Sequence, residues 1–261
     1  MNRFARLFSV CLLVLFSAVP TFAKSKDKAE RVNFQFNGKS RQYAVVIPLS
    51  VSPTAPLPVV MLLHYQGGYA SDVITYWKDF ASRRGFIAVA PESNSNTMWD
   101  SRVDGPEFLH AVLIDVNKKH PIDPTKVFMF GDDSGGIYAM AVGLYDAQNW
   151  GAICAEHAVV PSNDYSLFPH APRKIPFQDW VGAVDDDHPV GVMTTEHDAF
   201  TQAGFPFDLK IIPNSSGSYG NVYDEVNEGC YNFFLKNPLP APGAAYLAAP
   251  AAAPPAAPAS K

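Results

Sequence analysis

A chain of 261 residues with 25 acidic against 20 basic side chains carries a formal charge of −5. That balance excludes nucleic acid and anionic lipid as expected partners, because both reward a basic face. With 48% apolar residues and three cysteines, the composition suits one packed domain rather than a disulfide-dense scaffold.

The chain opens with Arg3 and Arg6, the apolar run LFSVCLLVLFSAV, and small residues ending at Ala23. This is the pattern of an export signal over residues 1–23, and the apolar run is too short to favour a membrane span. Its removal takes the charge from −5 to about −7 and leaves Cys154 and Cys230, read as two separate buried thiols although an oxidising compartment permits a bridge. A secreted or periplasmic location is expected, with no stable membrane insertion.

VNFQFNGKSRQYAVVIP predicts a hairpin turning at Asn37-Gly38. LPVVMLLH, a short unbroken apolar run, predicts a strand buried on both faces. A helix near 71–84 leads to the strand GFIAVAP, a helix near 106–119 to the strand KVFMFG, and GGIYAMAVGLYDA follows as a helix. WGAICAEHAVV and IPFQDWVGAVDDD supply two further strands, a helix covers 192–203, FDLKIIP is the last strand, and residues 222–236 close as a helix. Strand and helix alternate after an antiparallel start, so the fold class is α/β, with a mostly parallel central sheet and helices on both faces. Functional groups then gather at the carboxyl ends of the strands. The domain is placed at 24–236. Beyond it, residues 237–261 are almost only Pro and Ala and are read as a disordered tail.

The stretch KVFMFGDDSGGIYAM joins a strand to a helix through a glycine-rich turn. A nucleophile elbow, G-x-Nu-x-G, needs very small residues two before and two after its apex. Asp133 satisfies this with Gly131 and Gly135; Ser134 would put Asp132 inside the bend. Asp133 therefore takes the apex.

RQYAVVIP, LPVVMLLHYQGG, FASRRGFIAVAPES followed by Trp99, PIDPTKVFMFGDDSGG and VGAVDDDHPV span nearly all of residues 41–236. In these stretches the chain resembles the secreted esterases of the polyhydroxybutyrate depolymerase and feruloyl esterase type, within the α/β-hydrolase fold. The resemblance implies a Ser–His–Asp triad, an oxyanion hole near LHYQGG and carboxylic ester substrates. The serine position is Asp133, and Asp185, at the end of GAVD, fits the acid. The loop PNSSGSYGNVYDE, where the histidine belongs, contains none and offers Gly217 or Ser218.

An aspartate attacks without a base, as in the haloalkane dehalogenases and epoxide hydrolases, but a histidine must still direct water onto the ester intermediate. His157 is the candidate substitute; its alternative is a structural histidine beside the cleft. His188 reads as a solvated loop residue, His64 as structural, and His110, His120, His170 and His197 as surface residues. Backbone N–H groups of Ser134 and of Tyr65 or Gln66 are the expected oxyanion donors. A carboxylate at 133 that caps the helix and fills the hole is the competing reading. Asp132, Asp133, Asp185, Asp186 and Asp187 raise calcium as an idea, but the run is read as solvated, and no metal or cofactor is expected. Trp99 and Tyr65 are expected to contact a ring-bearing ligand, with Tyr69, Trp77, Trp180 and Tyr219 nearby. The leading expectation is a catalytically degenerate member that binds a small or polymeric ester or glycan. An altered ester hydrolase using Asp133 and Asp185 is the alternative, and a structural or interaction protein the third.

Overall fold

The computed structural model describes residues 27–52 and 54–247. The expected leader at 1–23 and the far end of the tail lie outside the described residues.

An eight-stranded sheet runs through the domain, built from β1 (Glu30–Phe36), β2 (Lys39–Val46), β3 (Leu57–Leu63), β4 (Ile87–Pro91), β5 (Ile122–Asp132), β6 (Ile153–Glu156), β7 (Phe177–Gly182) and β8 (Phe207–Ile212). Its spatial order is β1-β2-β4-β3-β5-β6-β7-β8. β1 and β2 form the expected hairpin, with Asn37 (φ 48°) and Gly38 (φ 73°) supplying the two left-handed residues of a tight turn. β2 meets β4 antiparallel, and every later neighbour is parallel.

Five helices cover the sheet: α1 (Ala70–Arg84), α2 (Pro106–Asn117), α3 (Ser134–Tyr145), α4 (Val190–Gln202) and α5 (Tyr219–Lys236). Alternating side chains of the strands feed two cores, one on each face. Trp77 and Phe80 of α1 and Cys230 and Phe234 of α5 pack with Val60, Leu62, Phe128 and Phe130. On the other face Leu109 and Val112 of α2 and Met140 of α3 pack with Met61, Leu63 and Met129. α3 is apolar almost all round and correspondingly buried. Trp77, Trp180 and Tyr219, expected near the cleft, are instead part of the core beneath α1 and α5. A 3-10 segment, Ser162–His170, follows β6 and was not foreseen.

Cys154 and Cys230 are joined, with Cα atoms 5.8 Å apart; this corrects the reading of two separate thiols. Strand β6 and helix α5 are thereby tied across 76 residues, for which loop-closure entropy gives about 4 kcal/mol. Replacing both cysteines by alanine is expected to lower unfolding free energy by about 2–5 kcal/mol in a urea titration.

Residues 237–247 correct the tail assignment. The chain runs back under the sheet, with Leu239 N–H donating to the Thr125 carbonyl at 2.8 Å and Ala244 N–H to that of Pro124 at 2.8 Å. Leu239 and Leu247 are buried, and the Tyr246 ring stacks on His110 at 4.0 Å. His110, expected at the surface, is half-buried and contacts Asp146 at 2.8 Å. Proline density keeps most of this segment out of helix and ladder, a 3-10 turn at Ala245–Leu247 closes it, and apolar anchors suffice to hold it as a strap.

Candidate active site

The turn from β5 into α3 brings Asp133 to φ 51°, ψ −119°, a conformation that side-chain-bearing residues rarely adopt. A Cβ on Gly131 would come within 2.5 Å of the Gly136 nitrogen, and one on Gly135 within 2.6 Å of the His64 carbonyl oxygen. The sterics expected from the sequence therefore hold: Asp133 is the apex.

One carboxylate oxygen of Asp133, Oδ2, accepts from the Gln66 N–H at 3.4 Å. The carboxylate thus meets one of the expected oxyanion donors, the backbone of Gln66. Its side chain does not cap α3, so the capping half of the competing reading fails. Of the two donors considered in the 65–66 turn, Gln66 faces Asp133. Tyr65 turns its half-exposed ring over Gly68. Ser134 opens α3, and its hydroxyl is buried without a partner.

β6 is only four residues long, and the chain kinks immediately after it. His157 takes φ 59° while its N–H donates to the Trp180 carbonyl at 2.8 Å. The kink swings the imidazole toward the end of β7, where Nδ1 lies 2.5 Å from Oδ2 of Asp185. This is a close contact rather than an aligned hydrogen bond. Asp185 is held by the N–H groups of Asp187 (2.9 Å) and His188 (2.8 Å), both donating to its Oδ1. An imidazole is thus paired with the acid after all, from β6 and not from the loop after β8.

Gly217 explains how that loop accommodates the arrangement. A Cβ there would lie 2.7 Å from Cγ of Asp185 and closer still to His157 Nδ1. The absent loop histidine and the histidine from β6 compete for one space, and Gly217 leaves it to the latter.

His188 is not a solvated loop residue. Its ring meets that of His157 edge-on at 3.8 Å between centroids, and its Nδ1 is buried without a partner. Burial, then the neighbouring His157, push its pKa down. His64 is structural as expected: fully buried, with Nδ1 2.9 Å from the Tyr65 carbonyl oxygen and Nε2 accepting from Ser93 N–H at 3.4 Å.

The five acids do not converge on one point. Asp186 and Asp187 are exposed, and Asp185 faces His157. Asp132 pairs across the β5–β6 register with Glu156. Burial, reinforced by the charge of Asp133, raises Asp132 to about 7, and burial beside Asp132 raises Glu156 as well. Deeper, Asp179 is buried completely. On α4, burial raises Glu196 to about 8, although its Oε1 accepts from Val160 N–H at 2.7 Å. Glu196 is protonated in the folded protein near neutrality and ionised once unfolded. Its stabilising contribution is complete below about pH 4.5 and drains away as pH rises through about 8. Glu196→Gln, which imitates the protonated form, is expected to flatten that slope and raise stability by about 2–4 kcal/mol at pH 8.5, measured by denaturant titrations across the range.

Beside Asp133 opens a cleft of about 590 Å³, walled by Trp99, Tyr138, Tyr145, Ile137, Met98 and Leu167, with Gln66 and Ser134 of the elbow region also lining it. Trp99 is fixed by its indole N–H, which donates to the His64 carbonyl at 2.9 Å, and by stacking on Tyr138 at 5.5 Å. Its expected place at the cleft holds; Tyr65 does not line the cleft. A mostly apolar, aromatic wall, interrupted by Thr97, Ser101 and Asp164 as well as by Gln66 and Ser134 at the elbow, suits a small ligand with an apolar or ring-bearing body.

No family model matches the sequence, and no curated protein matches it. Solved structures do match. An S-formylglutathione hydrolase (FrmB) from Staphylococcus aureus superimposes with a TM-score of 0.67 at 13% identity, over 81% of this chain and 98% of that one. A ferulic acid esterase gives 0.66 at 15%, over 80% and 98%. Esterase 2 of Thermogutta terrifontis, phosphoramylated by tabun, gives 0.64 at 14%, over 80% and 94%. At such identities the likeness is one of fold, and the fold is that of the α/β-hydrolases.

Proposed function

We propose that the protein is a hydrolase whose nucleophile is the Asp133 carboxylate, acting on an electrophilic saturated carbon of an apolar or aromatic small molecule. The observation that carries this reading is the His157 imidazole, paired with Asp185 and turned to the same end of the sheet as Asp133. A nucleophile, an imidazole and an orienting acid are again present, assembled from different strands.

The substrate class follows from the nucleophile. Carboxylate attack on a carboxylic ester forms an anhydride and gains nothing. Attack on a saturated carbon carrying a strained or activated C–O or C–halogen bond forms an alkyl ester on Asp133 and expels the leaving group with the bonding electrons. With Oδ2 on the Gln66 N–H, Oδ1 is the attacking atom. Ser134, whose hydroxyl is buried without a partner at the cleft, is a donor for a leaving oxygen, and the neighbouring Tyr145 hydroxyl, beside that of Tyr138, is a second. In the second step His157 takes a proton from water. The hydroxide adds to the Asp133 acyl carbon, Gln66 N–H holds the oxyanion, and collapse breaks the bond to the alkyl oxygen. His157 returns its proton to the departing alcohol, and one oxygen of Asp133 now comes from water.

A second reading, a degenerate esterase that binds without turnover, is favoured by one observation: Asp133 Oδ2 already takes the Gln66 N–H that an ester carbonyl would need. One experiment separates the two. Purified protein without its leader is offered aryl epoxides and alkyl halides, and the peptide bearing Asp133 is weighed. His157→Gln should accumulate an alkyl adduct on Asp133, while the parent should turn over and, in heavy-oxygen water, incorporate label at Asp133. Absence of both turnover and adduct supports the binding reading. Export by the residue 1–23 leader is part of this proposal and is consistent with the disulfide; among the described residues no helix is long and apolar enough to cross a membrane.

A further inference from the structure

We infer that Asp133, His157 and His188 form a binding site for a divalent transition metal, zinc by ligand chemistry, whose occupancy shuts off the carboxylate nucleophile. One oxygen of Asp133 and one ring nitrogen each of His157 and His188 all lie within 4.8 Å of one another. Bonds of about 2.0–2.1 Å in tetrahedral geometry put such ligands about 3.4 Å apart, a closure of at most about 1.4 Å from the 4.8 Å bound that side-chain torsions supply.

Three features separate this cluster from a chance gathering of polar groups. First, two imidazoles and one carboxylate are a donor set of borderline softness, which suits zinc and its neighbours rather than calcium or magnesium. Second, His157 already meets a carboxylate, Asp185, through Nδ1, leaving Nε2 for a metal; a carboxylate behind a ligating histidine fixes its tautomer and raises its basicity. The same Asp185 also anchors the His188 backbone N–H at 2.8 Å, so one acid positions two ligands. Third, His188 Nδ1 is buried and has no partner within the protein. The hydrolytic steps give His188 no task, and a metal would. Gln66 and Ser134, which line the adjoining cleft, leave the fourth position open to water.

The metal claim rests only on these positions. The inhibitory clause rests on the proposed hydrolase, because a cation on Asp133 and His157 removes nucleophile and base together. The test uses the full chain without its leader, stripped with chelator and titrated with Co²⁺. One equivalent is expected to bind with a visible absorption of low-symmetry cobalt and to be displaced by Zn²⁺. His188→Gln and Asp185→Asn are each expected to weaken binding about 10–100-fold, with unchanged far-ultraviolet circular dichroism. Absence of the cobalt spectrum in the parent, or an unchanged affinity in His188→Gln, overturns the site. Cobalt binding by a protein that turns nothing over sustains the metal site and counts against the hydrolase. Turnover that stoichiometric Zn²⁺ leaves untouched, in a protein that binds it, overturns the inhibitory clause.

Discussion

Asp133→Asn is expected to abolish turnover by about 10³-fold or more, because an amide neither attacks nor carries the ester intermediate. The fold should persist. Removing the charge beside Asp132 also removes one of the two influences that raise that buried carboxyl, so the variant should be slightly more stable at pH 8 than its parent. Asp133→Ser sharpens the test. The hydroxyl would stand at the same apex, within range of an imidazole already paired with Asp185, and with the Gln66 N–H freed for a carbonyl oxygen. That single change is expected to exchange chemistries, giving hydrolysis of short aryl esters at least about tenfold above the parent and no alkylation of the protein. A serine variant silent toward aryl esters, with its fold intact by circular dichroism, would mean that His157 is not positioned as a base.

Gly217→Ala carries the second large effect. The added methyl would press on the Asp185 carboxylate and the His157 ring from a backbone at φ +82° that disfavours any side chain. The imidazole must move or the loop must open. Turnover is expected to fall about 10²–10³-fold through the water step, so that the alkyl adduct accumulates as in His157→Gln. Stability should fall by about 1–3 kcal/mol. The adduct separates this from general damage: a merely destabilised protein would lose alkylation and hydrolysis together.

What the sequence disclosed, and what it hid, follows from the range of the forces involved. The Asn37-Gly38 turn, the doubly buried strand at Leu57–Leu63 and the apex at Asp133 rest on local sterics and periodicity, which a short window carries. Asp185 was placed by the resemblance. His157 could be singled out because it follows a strand next to the elbow, but its pairing with Asp185 depends on the φ 59° kink after β6, and CAEHAVV gives no sign that the strand stops at Glu156. His188 looked solvated because its neighbours Asp186 and Asp187 are; only the turn that bonds its N–H to Asp185 turns the ring inward. The disulfide and the strap at 237–247 are long-range closures: no short window tells whether a strand cysteine and a helix cysteine meet, and composition argued against the strap.

Cys154 stands three residues ahead of His157 on the shortest strand of the sheet, and its sulfur is fastened to the helix that follows the Gly217 loop. The two segments that contest the space beside Asp185 are thus leashed to each other. Before that leash forms, a newly made chain can breathe around His157, the proposed proton-transfer group. On the proposed hydrolase reading, thiol oxidation then completes the chemistry as well as the fold, and a copy retained among reductants would be the slower catalyst.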